Sequence, residues 1–192
     1  MELQPIPAAL KPAVVEIHHV MTDLETLGTD PGCPILSIGA YGFNFDNDHA
    51  EQFYLPIKLS SCFDVGMRPN ADTICWWMKQ SDAARAVFKD PQAVHIAEAL
   101  DMFTLWLNSR PVTLWGNSAR FDMGILEAAY KFCGKNPPWK FWKEGCYRTV
   151  KNFPKAKDIE LQRMGTYHNA LDDAYSQALH LKAINAQLGL GL

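Results

Sequence analysis

The apolar run from Val14 to Thr22, rich in valine, isoleucine, histidine and methionine, predicts a buried strand whose polar positions gather at its C-terminal end. Gly28 to Pro34 is turn chemistry. Ile35 to Phe45 reads as a second strand, and Asn44-Phe45-Asp46-Asn47-Asp48 as a hairpin turn into a third, roughly Glu51 to Leu59. Short turns between three consecutive strands imply antiparallel neighbours. The period then lengthens. Asn70 or Asp72 is placed to cap a helix through Trp76-Trp77-Met78, Ser81-Asp82 another through Phe88, and Val94 to Leu107 carries Ile96, Leu100, Phe103 and Leu107 at helical spacing. Val112 to Trp115 is a short strand ending at Gly116-Asn117-Ser118, followed by an amphipathic helix over Phe121 to Phe132 that stops near Gly134. Cys146 to Asn152 is the expected last strand, and Asn169 to Leu188 a long final helix. A three-strand meander followed by helices alternating with two more strands predicts an α/β layer fold: a five-stranded mixed sheet, three strands antiparallel and then two parallel, flanked by helices.

Composition narrows this little but excludes much. With 192 residues, 48% of them hydrophobic and 20% charged, one domain has enough apolar material for a core. Residues 13–192 are expected to form it, and Met1 to Pro12, with three prolines, an N-terminal extension without the features of a secretory signal. Five cysteines, with no Cys-x-x-Cys pair, indicate neither a disulfide framework nor a zinc site. No apolar run suffices for a membrane span, so a cytoplasmic protein is expected. The net charge of −3 conceals a lopsided distribution: Lys131 to Arg163 holds nine basic residues against three acids, a local +6. Trp139, Phe141 and Trp142 interleave with those lysines, a composition suited to phosphates and bases and equally to a solvated loop with its aromatics in the core.

Side chains two apart on a strand share a face, so Asp23 and Glu25 form a paired acidic claw for hard cations. Alone, such a pair equally suits a surface strand end. Ligands gather at the carboxyl ends of strands in α/β sheets, however, and Asp122 and the Asp172-Asp173 pair fall at corresponding places. Were the final element helical throughout, His168 would share a face with Asp172, whereas Asp173 requires His168 to reach in from the preceding loop. Asp173 lies beside the apolar stripe and Asp172 looks outward, which favours Asp173 as the ligand.

Asp23-Leu24-Glu25-Thr26, then Trp115-Gly116-Asn117-Ser118-Ala119-Arg120-Phe121-Asp122, then His168 with Asp173 five positions on, resemble in this order the DEDDh branch of the 3′-5′ exonucleases in the ribonuclease H-like superfamily. The match covers nearly the whole chain beyond the first dozen residues. Asp23 to Thr29, Ile35 to Gly39, Trp76 to Ser81 and Tyr147-Arg148-Thr149 look most like phage and prophage exonuclease VIII-like proteins.

The resemblance implies a ribonuclease H-like fold and a two-metal hydrolysis releasing 5′-mononucleotides from a free 3′ end. Four carboxylates suit Mg²⁺ or Mn²⁺, and their mutual repulsion is tolerable only with cations present. By analogy Asp23 bridges two ions, Glu25 and Asp173 complete one site, Asp122 supports the other, and His168 is the general base. Thr26, Leu27 and Gly28 are the expected contacts to the terminal nucleotide, with Asn117, Phe121, Trp77 and Arg148 as further substrate contacts. Adjacent tryptophans face different directions on a helix, so one of Trp76 and Trp77 is expected in the core. The expected substrate is the 3′ end of DNA, single-stranded or frayed, in a bacterial or phage-infected cell. The alternatives are an exoribonuclease, an endonuclease on the same sheet, and a non-catalytic module binding nucleic-acid ends or a partner. A homodimer lending basic residues across its interface is also within the family's range.

Overall fold

The computed structural model describes residues 16–192, so the expected extension 1–12 and the first residues of the run from Val14 lie outside the described part. Among the described residues five strands make one sheet in the order β3-β2-β1-β4-β5. Strand β1 (His19–Thr26) lies antiparallel to β2 (Ile35–Phe43), which lies antiparallel to β3 (Ala50–Pro56). Three short elements follow: helix α1 (Leu59–Asp64), helix α2 (Ala71–Trp77) and helix α3 (Asp82–Arg85), the last running on as a 3₁₀ turn over Ala86–Lys89. Helix α4 (Ile96–Leu107) leads to β4 (Thr113–Gly116), parallel to β1, and helix α5 (Ala119–Phe132) leads to β5 (Glu144–Cys146), parallel to β4. Helix α6 (Tyr147–Lys151) and the long helix α7 (Ala170–Leu188) complete the chain.

Alternation along the central strands builds a core on each face. Val20, Leu24 and Leu114 point to one side and pack with Leu100 and Phe103 of α4 and with Met123 and Leu126 of α5. Met21 and Trp115 point to the other and pack with Tyr147 and Val150 of α6 and Ala174, Ala178 and Leu181 of α7. At roughly 1.5–3 kcal/mol for each large side chain fully withdrawn from water, these layers hold the sheet between helices.

Three expectations need correction. Strand β1 runs on beyond the expected Thr22 to Thr26, because β2 continues to pair with it at Asp23↔Gly39 and Glu25↔Ser37, so both acids lie within the ladder on the shared face expected of them. The third strand stops at Pro56, and Leu59 opens α1, where Ser61 Oγ donates to the Lys58 carbonyl and accepts from the Ile96 N–H. The last strand is three residues long. Tyr147 to Val150, β-forming by composition, is helical because burying Tyr147 and Val150 against α7 outweighs local propensity, and the Arg148 N–H closes onto the Asn117 carbonyl at 2.9 Å.

The caps fall where side chains supply acceptors. Asn70 Oδ1 accepts from the N–H groups of Asp72 and Thr73, and Asn169 Oδ1 from those of Leu171 and Asp172. Helix α7 enters across the middle of the sheet, and Gly39 permits it: a Cβ there would stand 2.2 Å from the Ala170 carbonyl carbon. Gly39 is also the partner of Asp23, so this close approach sets how near α7 comes to the acids of β1. Gly39→Ala is accordingly expected to cost about 1–3 kcal/mol through overpacking, read as a lower midpoint in denaturant unfolding. A variant as stable as the parent would show that α7 is not pinned there.

Candidate active site

Asp23 and Glu25 project from β1 while Leu24, between them, is buried on the opposite face. Gln177 of α7 donates to Asp23 Oδ1 through its Nε2 at 2.8 Å. Asp122 stands in the first turn of α5, over the end of β4. Gly116 leaves room for it, since a Cβ at that position would sit 2.7 Å from Asp122 Oδ2, and the Ser118 N–H donates to the same oxygen at 3.2 Å. Asp173, in the first turn of α7, is buried and paired with the Arg163 guanidinium. His168 precedes the Asn169 cap with φ of 62°, and this left-handed kink turns its ring inward. Donor atoms of Glu25, His168 and Asp173 lie within 4.8 Å of one another.

These groups repel. Asp23 is pushed well above the ordinary carboxylate range by burial first, then by Asp122, Glu25 and Asp173. Glu25 is pushed up to about 8 by burial and then by Asp173 and Asp122, with Arg163 opposing. Asp122 rises to about 7 through burial, despite N–H groups from Ser118 and Leu24 that favour its anion. Asp173 rises for the same reason, held back chiefly by Arg163 and then His168. A set of hard oxygen donors, three buried and Asp23 half-buried, each costly to ionise beside the others, is what a divalent cation relieves, so the residues fit Mg²⁺ or Mn²⁺. The structure thus brings together all five residues expected to do the chemistry, and Asp172 turns away, its Oδ2 accepting from the Thr166 N–H at 2.7 Å.

Beside them opens a mostly apolar cavity of about 430 Å³, lined by Glu25, Thr26, Gly28, Trp76, Trp77 and Phe121 among others. Of the expected substrate contacts, Thr26, Gly28, Trp77 and Phe121 reach it. Leu27 does not line it: its side chain is buried with Leu36, Trp77 and Ala84. Nor do Asn117, whose Oδ1 accepts from Lys151 Nζ at 3.0 Å, and Arg148, exposed on α6. The tryptophan pair divides. Trp77 is 3% exposed and its indole N–H donates to the Thr26 carbonyl at 2.8 Å, so it shapes the wall. Trp76, 41% exposed, meets the His168 ring edge-on at 4.9 Å between centroids. Gly28 also serves its own loop, because a Cβ there would fall 2.5 Å from Cys33 Cβ.

Sequence reasoning missed Gln177 and Arg163 as neighbours of the acids. The signal for Gln177 was present, one helical turn after Asp173; Arg163, in an irregular loop, left none. The basic segment is only partly at the site: Lys131 pairs with Glu127 and Lys135 with Asp101, away from it, and Phe141 and Trp142 are exposed.

Comparison with known proteins bears on the family and the fold. The family model described as 3′-5′ exoribonuclease Rv2179c-like domain matches residues 18–185. The chain is similar in structure to the nuclease domain of 3′hExo, a DEDDh family member bound to rAMP, at 12% identity with a TM-score of 0.56, covering 89% of this chain and 92% of that one. It is also similar to an exonuclease I from Methylocaldum szegediense, at 15% identity with a TM-score of 0.61, covering 89% of this chain and 41% of the other. At such identities the likeness is one of fold. No curated protein matches the sequence significantly.

Repulsion at the site carries a test in the absence of metal. Folded Glu25 keeps its proton up to about pH 8, whereas the unfolded chain releases it near 4.5. The stability this contributes is therefore complete below about 4.5 and lost as pH climbs to about 8. In chelator, the melting temperature is expected to fall over that window, less steeply for Glu25→Gln than for the parent. Mn²⁺ should raise it strongly in the parent and weakly in the variant; parallel pH curves would count against the crowding.

Proposed function

The chain belongs to the 3′-5′ exoribonuclease Rv2179c-like domain family and is a 3′-5′ exonuclease of the DEDDh type, and from that premise we propose that it shortens RNA from a free 3′ end, releasing 5′-mononucleotides. The observation that carries the proposal is the convergence of Asp23, Glu25, Asp122, Asp173 and His168 beside a cavity fit for one nucleotide. RNA is favoured over the DNA expected from sequence by the family description alone.

Asp23, Glu25 and Asp173 would hold one divalent ion, and Asp23 with Asp122 a second. Bound there, Mg²⁺ or Mn²⁺ would acidify water and offset charge on the phosphoryl oxygens. The remaining work falls to the chain. His168 takes the proton of the attacking water at the ring nitrogen that faces Glu25 and Asp173. The edge-on contact with Trp76 orients that imidazole. Gln177, donating to Asp23, fixes the carboxylate rotamer at the centre of the site. Thr26 and Gly28 line the place of the terminal sugar, while Trp76 and Phe121 present aromatic faces to its base. Trp77, bound to the Thr26 carbonyl, holds the edge against which the nucleotide rests.

On this reading residues 13–192 form one exonuclease domain acting in the cytoplasm, alone or as a homodimer. Among the described residues no helix is long and apolar enough to cross a membrane. Asp23→Asn should abolish mononucleotide release while leaving the circular dichroism spectrum unchanged. His168→Ala should lower kcat by about 10²–10⁴-fold with little change in KM. Matched 5′-labelled RNA and DNA oligonucleotides with Mn²⁺ test the substrate: RNA should shorten faster, and equal or faster loss of DNA overturns the choice of ribose. Absence of release from either would return the chain to a binding role.

A further inference from the structure

Arg163 is placed where the proposed activity has no use for a fixed cation. Its guanidinium pairs with Asp173, whose donor atom clusters with those of Glu25 and His168. It also lies over the Tyr167 ring, 4.4 Å from the centroid, and its side chain is 37% exposed against 10% for Asp173. The backbone around it is fastened to α7: the Met164 N–H donates to Ser176 Oγ at 3.0 Å, and the Thr166 N–H to Asp172 Oδ2 at 2.7 Å. The arm can therefore move while its anchor stays.

We propose that Arg163 is an exchangeable cation, holding Asp173 in metal-free protein and passing to a phosphate of bound nucleic acid once a divalent ion takes that carboxylate. The inference rests on the exonuclease reading of the site. A single positive charge among four carboxylates neutralises only part of their charge, so a divalent ion competes for Asp173 with the advantage of charge. Once displaced, a guanidinium has a fork geometry that matches phosphate oxygens, and Tyr167 offers it a face to rest on during the exchange. Lys151 stands near Arg163, held on Asn117 Oδ1 and against the Tyr147 ring, so Arg163 has a second cation beside it. Substrate thus delivers the anion that replaces the one surrendered to metal.

Two measurements on the whole chain read the exchange without turnover. Isothermal titration of metal-free protein with MnCl₂ is expected to show Arg163→Ala binding Mn²⁺ roughly ten-fold more tightly than the parent, since the competing charge-assisted bond is gone. Fluorescence anisotropy with a 5′-fluorescein hexauridylate in CaCl₂ is expected to show the same variant binding RNA several-fold more weakly. Its slope of log affinity against log salt should be smaller by about 0.7, one phosphate contact on a single strand. Arg163→Lys, which keeps the charge without the fork, should fall between on both axes, and circular dichroism confirms that each variant is folded. Unchanged or weaker Mn²⁺ binding in Arg163→Ala overturns the exchange, as does unchanged RNA affinity. A parent protein that takes up no Mn²⁺ overturns the metal-site reading and this inference with it, so the two failures are distinguishable.

Discussion

Four carboxylates drawn into one poorly hydrated patch oppose their own assembly, and the architecture answers that repulsion. The acids come from β1, α5 and α7, and two apolar layers, one on each sheet face, provide the stabilisation that holds these elements together. Close approach is obtained by omission of side chains. Gly39 and Ala170 let α7 settle on the sheet, and Gly116 admits the carboxylate of Asp122. Where the backbones cannot bring relief, polar neighbours do: Gln177 on Asp23, the Ser118 N–H on Asp122, the Arg163 guanidinium on Asp173. What these leave uncompensated is a negative charge suited to metal.

Much of this was legible because it follows simple periodicities. The alternation that put Asp23 and Glu25 on one face and Leu24 on the other survives in the fold, with Leu24 in the core. Asp173 was separable from Asp172 because only the former borders the apolar stripe of α7, and Asp172 indeed faces the loop, where it receives the Thr166 N–H. The turn after β2 was signalled by its asparagines, and Asn44 fastens that corner, donating to the Glu16 carbonyl at 2.9 Å and accepting from the His18 N–H at 2.8 Å.

What escaped depends on tertiary context. Tyr147 to Val150 has strand-forming side chains, yet its helix follows from burial against α7, where Tyr147 Oη meets His180 Nδ1 at 2.5 Å. Which of Trp76 and Trp77 is buried depends on the phase of α2 against β1, which is set by the Trp77 indole N–H donating to the Thr26 carbonyl. Leu27, expected beside the nucleotide by its position after the acids, faces inward because its strand end is folded against the Trp77 cluster. Arg163 sits in a stretch without regular periodicity, so its partner ten residues away had no signature in the chain.

The left-handed turn at His168 has a wider consequence. Because the kink is followed at once by the Asn169 cap, the imidazole takes its position from the start of α7 and not from the path of the preceding loop. That loop is tied at two ends, where His180 Nε2 meets the Ile159 carbonyl at 2.7 Å and where Ser176 holds Met164. Residues 160–163 lie between the two ties, and Arg163 is itself held on Asp173, so extra chain inserted at 160–162 would lengthen the span ahead of these contacts. The site is in this sense modular: the span that precedes it is free to vary in length while the start of α7 fixes the imidazole.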